Sequence, residues 1–197
     1  MKDNLSARQI EIINASLQLI SESGIQSMTI KNLAKRIGFA ESAVYRHYEN
    51  KIQILMAILN MFKQNSDQFF DAQLNSDDNS ITKIESLFIN HFNKFAQNPA
   101  LVTVIFSEEI FRNEVELSTR VSEIMEKNIK SLDAIIQQGQ ANSEIRSDIE
   151  SFDLSTIILG SLRMFVKQWH ISNFSFDLNE RGRHFIESIK LLTQPQV

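Results

Sequence analysis

The chain of 197 residues is predicted to be all-α, on two observations. Apolar residues recur at three- and four-residue spacing along nearly its whole length, the period of a helix with one buried face. Only five glycines and two prolines are present, fewer turn residues than a β-rich domain requires. Apolar residues make up 43% of the composition, enough to bury a core.

The first helix is expected to begin at Ser6, which has capping-box spacing with Gln9, and to stop at Gly24. Ile10, Ile13, Leu17 and Ile20 line one of its faces. Thr29 can cap a second helix that turns Ile30, Leu33, Ala34 and Ile37 inward, with Lys31 or Arg36 available to a phosphate. Gly38 then supplies the permissive backbone of a tight helix–turn–helix junction, and Phe39 can plug the angle. The third helix, roughly 41–48, spans two turns and depends on tertiary packing. Ala43, Val44 and Tyr48 face its interior, which leaves Glu41, Ser42, Tyr45, Arg46 and His47 for solvent or a partner. Tyr45, Arg46 and His47 can all donate to phosphate oxygens, and Arg46 can reach guanine edges in a major groove. A solvated helix with Tyr45 half-buried accounts for these residues equally well. Asn50 is a good cap for a fourth helix. Lys51 would then stand in its first turn, where the helix dipole disfavours a cation unless an anion docks there.

Charge is distributed in the same sense. Residues 1–51 carry seven Lys/Arg against five Asp/Glu, and the remainder 13 against 19, so a head of +2 is joined to a body of −6.

Residues 10–51 resemble the DNA-binding domain of the TetR family of bacterial transcriptional regulators. The resemblance rests on I-x-x-A-S-L-x-L-I-x-x-x-G, on MTIKNLAKRIGFA, on VYRHY and on the closing NK, and covers about a fifth of the chain. It implies phosphate contacts from Thr29, Tyr45, His47 and Lys51, with Glu41, Ser42 and Arg46 facing the groove. Two positions depart from the family pattern. Ala40 replaces the usual capping serine or threonine. Glu41 stands where lysine is common, and its carboxylate can accept from a cytosine amino group. The expected domains are 1–51, a helix-turn-helix DNA-binding domain, and 52–197, a helical ligand-binding and dimerisation domain joined to it through helix four.

In the body, helix four carries Ile52, Leu55, Ile58, Leu59 and Phe62 up to about Phe70, and 75–80 reads as a loop. Helix five follows with Ile81, Ile84, Phe88, Phe92 and Phe95. Asn98–Pro99 starts a helix that is apolar nearly all round, and a seventh runs from Leu117 towards Gly139. Two last helices are expected at 152–172 and 178–192. The resemblance implies that this pair forms a homodimer interface, with Ile157, Gly160, Phe185, Ile186 and Ile189 in it; an ordinary intramolecular core fits the composition as well. Phe88, Phe92, Phe95, Phe106, Met125, Phe165 and Trp169 fall on segments that build the family's ligand pocket, with His91 and Glu109 as candidate polar anchors. Taken singly, each reads more simply as core or surface.

The absence of cysteine excludes disulfide frameworks, thiolate zinc sites and cysteine nucleophiles. His47, His91, His170 and His184 lack metal-ligand spacing, so neither metal nor cofactor is expected. The polar N-terminus and short apolar runs point to a soluble, cytoplasmic protein. The leading expectation is a dimeric repressor that binds a near-palindromic operator in double-stranded DNA and is released by a small apolar or aromatic ligand. The alternatives are an architectural DNA-binding protein without inducer and, more remotely, an enzyme using His91 and Glu109. No nucleophile-elbow, P-loop or dinucleotide motif supports the enzyme.

Overall fold

Ser6 opens the first helix as its spacing with Gln9 requires: Ser6 Oγ accepts from Gln9 N at 3.2 Å, and Gln9 Oε1 accepts from Ser6 N at 3.0 Å. The computed structural model describes residues 5–107 and 114–195. Among these it contains nine α-helices and no strand: α1 (Ala7–Ser23), α2 (Ile30–Ile37), α3 (Glu41–Tyr45), α4 (Lys51–Leu74), α5 (Ser80–Gln97), α6 (Pro99–Ile105), α7 (Val115–Ala141), α8 (Ser151–Ile171) and α9 (Leu178–Thr193). None of them is long and apolar enough to cross a membrane.

The chain forms two compact units: residues up to 62 with 98–121, and 63–97 with 122–197. In the first, α1 packs against α2 and α6, and α2 against α3. Ile12, Ile13, Ile20, Met28, Leu33, Val44, Ile54 and Ile58 form its core. Gly24 (φ 76°) ends α1 and Gly38 (φ 79°) ends α2, both in the region that favours glycine. Two expectations are corrected here. Ile10 is 46% exposed, because it borders an open groove of about 500 Å³ lined also by Asn14, Arg36 and Ile37. Helix α3 ends at Tyr45 rather than Tyr48, since Val44 O accepts from both His47 N (2.9 Å) and Tyr48 N (3.1 Å) and tightens the last turn.

In the second unit α9 lies along α5 and also meets α8. Helix α5 buries Ile84, Leu87, Phe88, His91, Phe92 and Phe95 at helical spacing. The sequence suggested Gly139 as the stop of α7, but the helix runs on to Ala141. What Gly139 provides is clearance: a Cβ there would lie 2.7 Å from Ser80 Cβ and Ile145 Cδ1. Gly182 does the same on α9, where a Cβ would sit 2.5 Å from Cδ2 and Cε2 of the buried Phe92 ring. Gly182→Ala is therefore expected to cost about 1–3 kcal/mol by overpacking, lowering Tm by about 2–4 °C per kcal/mol. Thermal denaturation checks this, and an unchanged Tm would mean that Phe92 has room to move.

Candidate functional site

In the first unit, the residues singled out in the sequence lie on three helix beginnings and one short helix. Thr29 caps α2, its Oγ1 accepting from Asn32 N at 3.1 Å, which leaves the hydroxyl proton to donate outward. Lys31 follows, exposed. Arg36 is committed to an ion pair with Glu22, so of the two basic residues on α2 considered for phosphate, Lys31 is the one left to bind.

Helix α3 starts at Ala40 without a side-chain cap, the consequence of the missing serine or threonine. Glu41, Ser42, Tyr45 and Arg46 are exposed and His47 is partly so; Tyr45 keeps 49% of its surface. Neither the Tyr45 nor the Arg46 side chain forms a hydrogen bond or ion pair within the described residues. The apolar side of the same helix is buried through Val44, and Tyr48 closes the core behind it. The Tyr48 hydroxyl is buried without a hydrogen-bond partner among the described residues, and burial raises its pKa.

Helix α4 begins with Asn50 Oδ1 accepting from Gln53 N at 3.0 Å. Lys51 is half-buried, and Nζ donates to Ile25 O at 3.2 Å. Burial lowers its pKa. Lys51 thus has a structural role that sequence reasoning missed, tying α4 to the turn before α2, with two N–H donors left over for an anion. Arg8 was also missed: its guanidinium lies 4.4 Å from the centre of the Phe39 ring and holds that residue in the α2–α3 corner.

The second unit gathers part of the expected pocket set. Phe88 and Phe92 are edge-to-face at 5.8 Å, Phe92 and Phe165 lie 5.4 Å apart, and Phe165 stacks on Phe185 at 4.6 Å. Phe95 is buried beside His91, ring centres 5.9 Å apart. Trp169 is buried, its indole N–H donating to Phe176 O at 2.9 Å. His91 is buried rather than exposed, and its Nδ1 donates to Leu87 O at 2.8 Å. Desolvation, reinforced by the Lys94 ammonium and opposed by the Leu87 carbonyl, lowers its pKa to about 4, so the ring is neutral. One member does not join the cluster: Met125 is exposed, its sulfur 3.7 Å from Arg163 Nη1. Phe106 ends α6 in the first unit. Glu109 lies outside the described residues.

The expected interface set divides as well. Ile157 and Gly160 are exposed on α8, and nothing lies within 4 Å of a Cβ built on Gly160. Ile186 and Ile189 are buried within the chain itself, and the partly buried Phe185 packs against Phe88 and Phe165. On these two helices the exposed large apolar side chains are Phe152, Ile157, Met164 and Ile171 on α8 and Leu191 and Leu192 on α9.

A short helix that buries one side and presents Glu41, Ser42, Tyr45 and Arg46 on the other, set between two capped helix N-termini, defines a helix-turn-helix DNA-binding protein. Comparison with known proteins agrees. Residues 12–58 match the bacterial regulatory proteins of the tetR family, and 61–191 match the C-terminal region of YsiA-like proteins. The chain belongs to the tetR family of bacterial regulatory proteins and is a DNA-binding transcriptional regulator. It is 26% identical over 176 residues to the fatty acid metabolism regulator protein of Bacillus subtilis, covering 87% of this chain and 88% of that one. It is 20% identical over 180 residues to the nucleoid occlusion factor SlmA of Photobacterium profundum, covering 90% and 91%. The fold is shared with the transcriptional regulator FadR from Bacillus subtilis in complex with stearoyl-CoA, at a TM-score of 0.76 and 22% identity, covering 93% of this chain and 98% of that one.

Proposed function

We propose that the protein is a cytoplasmic, homodimeric repressor that leaves its operator when a long apolar ligand of fatty-acyl type enters the second unit. On the DNA side, Thr29, Lys31, Tyr45, His47 and Lys51 hold phosphates, and Glu41, Ser42 and Arg46 read base edges. Two heads occupy successive major grooves about 34–36 Å apart. The observation that carries the ligand reading is the aromatic cluster of the buried Phe88, Phe92 and Phe165 with the partly buried Phe185, in a single unit, with the neutral His91 on the helix of Phe88 and Phe92. A wall of this kind suits an alkyl chain and offers no fixed charge. The names of the Bacillus subtilis relatives, one for fatty acid metabolism and one solved with stearoyl-CoA, support the same class.

Dimerisation is supported by the exposed series Ile157, Gly160, Met164 and Ile171, one face of α8, beside Leu191 and Leu192. Coupling has a physical route through the two helices that contribute residues to both units, α4 and α7. A ligand that prefers one arrangement of these helices must oppose a DNA that prefers the other, and to the same degree.

The test is a gel shift on the DNA flanking the protein's own gene, across a salt series, with stearate and stearoyl-CoA as effectors. Selective, salt-steep binding lost on adding either effector is the expected result. Selective binding indifferent to both would refute the fatty-acyl reading.

The architectural alternative has one observation in its favour: Phe92 is seated directly on the backbone of Gly182, leaving no slack at that point of the core. Binding that is weak and indifferent to DNA sequence would move that reading to first place.

A further inference from the structure

The aromatic cluster of the second unit reaches the surface where α8 ends, and the backbone there is unusual. Asn173 and Phe174 take consecutive left-handed conformations, φ 54° and 60°. Asparagine tolerates this region; a bulky phenylalanine rarely enters it, and a glycine would stop the helix without strain. Phe174 is held by its N–H donating to Trp169 O at 2.9 Å, and by its ring lying 4.7 Å from Trp169 and 5.6 Å from His170. The ring is still 37% exposed.

Two residues on, the chain turns inward. Phe176 lies 5.8 Å from Phe165, and its carbonyl accepts the Trp169 indole N–H at 2.9 Å. Through Phe165 the rings continue to Phe92, Phe185 and Phe88. Over Phe176, at 4.6 Å, lies the guanidinium of the exposed Arg181. No carboxylate among the described residues pairs with Arg181, and the neighbouring Asp177 carboxylate is occupied in capping Asn179 N and Glu180 N, each at 2.8 Å.

A strained residue kept in place by ring contacts is suited to act as a two-state element. Displacing Phe174 loses its stacking but releases its backbone, and the opening leads straight to the buried rings. We propose that residues 172–177 are the portal by which a long-chain amphiphile enters the aromatic cluster, with Arg181 receiving its anionic head. The proposal rests on the fatty-acyl reading above, and names the entry and the charge that the reading leaves open.

Trp169 is the chain's single tryptophan, so its fluorescence reports on this portal alone. The test uses a dibrominated stearate and its coenzyme A thioester, with binding followed in parallel by calorimetry. Saturable quenching of Trp169 in the calorimetric concentration range is expected from the chain passing beside the indole. Arg181→Gln is expected to weaken binding about tenfold or more, the loss of one charge-assisted contact, without changing the depth of quenching. Loss confined to the free acid makes the head a carboxylate; loss confined to the thioester assigns it to the coenzyme's phosphates. Phe174→Gly suits the same backbone, so the fold is retained, and it is expected to speed association and dissociation together while affinity holds.

Calorimetric binding without quenching, or rates unmoved by Phe174→Gly, overturns the portal and leaves the fatty-acyl reading standing. Failure of both probes to bind overturns both.

Discussion

Arg46→Ala is expected to reduce operator affinity by about a hundredfold or more while leaving the fold intact. A charge-assisted hydrogen bond contributes about 1.5–3 kcal/mol, and a two-fold symmetric complex loses it twice, so a combined loss of about 3 kcal/mol or more follows. Arg46 is exposed and its side chain makes no hydrogen bond or ion pair within the described residues, so its removal leaves nothing unsatisfied. Tyr45→Phe separates the two kinds of contact. It deletes only a hydroxyl, and if that hydroxyl meets a phosphate the loss is uniform across operator variants. The Arg46→Ala loss instead concentrates at the base pair that Arg46 reads. Lys51→Gln removes two phosphate contacts per dimer and is expected to make the salt slope shallower by about 1.8. It also removes the bond to Ile25 O, so it needs a parallel thermal melt. Binding titrations on an operator set in which each base pair is varied, repeated over salt, measure all three. An Arg46→Ala protein with full affinity and unchanged preference removes α3 as the reading element.

Most of the fold was legible in the chain because its signals are local. Capping by Ser6, Thr29 and Asn50, the stops at Gly24 and Gly38 and the periodicity of α5 each depend on residues a few positions apart, and the structure bears them out. What was not legible depends on which element covers which. Helix α9 has apolar residues on more than one side, and periodicity alone does not say whether a side meets α5 of the same chain or a second copy. Phe185, Ile186 and Ile189 meet their own chain, and Leu191 and Leu192 are the residues left outside. Gly182 carried no sequence signal at all, since only the arrival of Phe92 gives its missing side chain a purpose. The same holds for Lys51, whose acceptor on Ile25 is brought to it by tertiary folding. His91 could be read as surface or anchor. Its position within the buried stripe of α5, midway between Leu87 and Phe95, was the available signal.

That burial gives His91 a measurable pH signature. Its pKa is lowered from the ordinary 6.5 to about 4, chiefly because the imidazolium would be desolvated. Above pH 6.5 the ring is neutral whether the protein is folded or not, and its contribution is fully present. As pH falls below 6.5 the unfolded chain binds a proton that the folded chain refuses, so stability falls, by up to about 1.4 kcal/mol per pH unit. The loss ends near pH 4, when the folded form protonates too, and amounts to about 3 kcal/mol in total. His170 is shifted in the same direction by partial burial, and Asp67, Glu144 and Asp148 are held below the ordinary carboxylate range. Those carboxylates lose their contribution only in stronger acid, so the interval between pH 6.5 and 5 belongs to the histidines. His91→Gln isolates one of them, because the variant keeps the His170 term and lacks the His91 term. Denaturant unfolding at pH 7 and pH 5 is expected to show a smaller drop in stability for His91→Gln than for the parent protein. If the two drops are equal, the ring is protonated in the folded state and the aromatic cluster admits charge that its packing argues against.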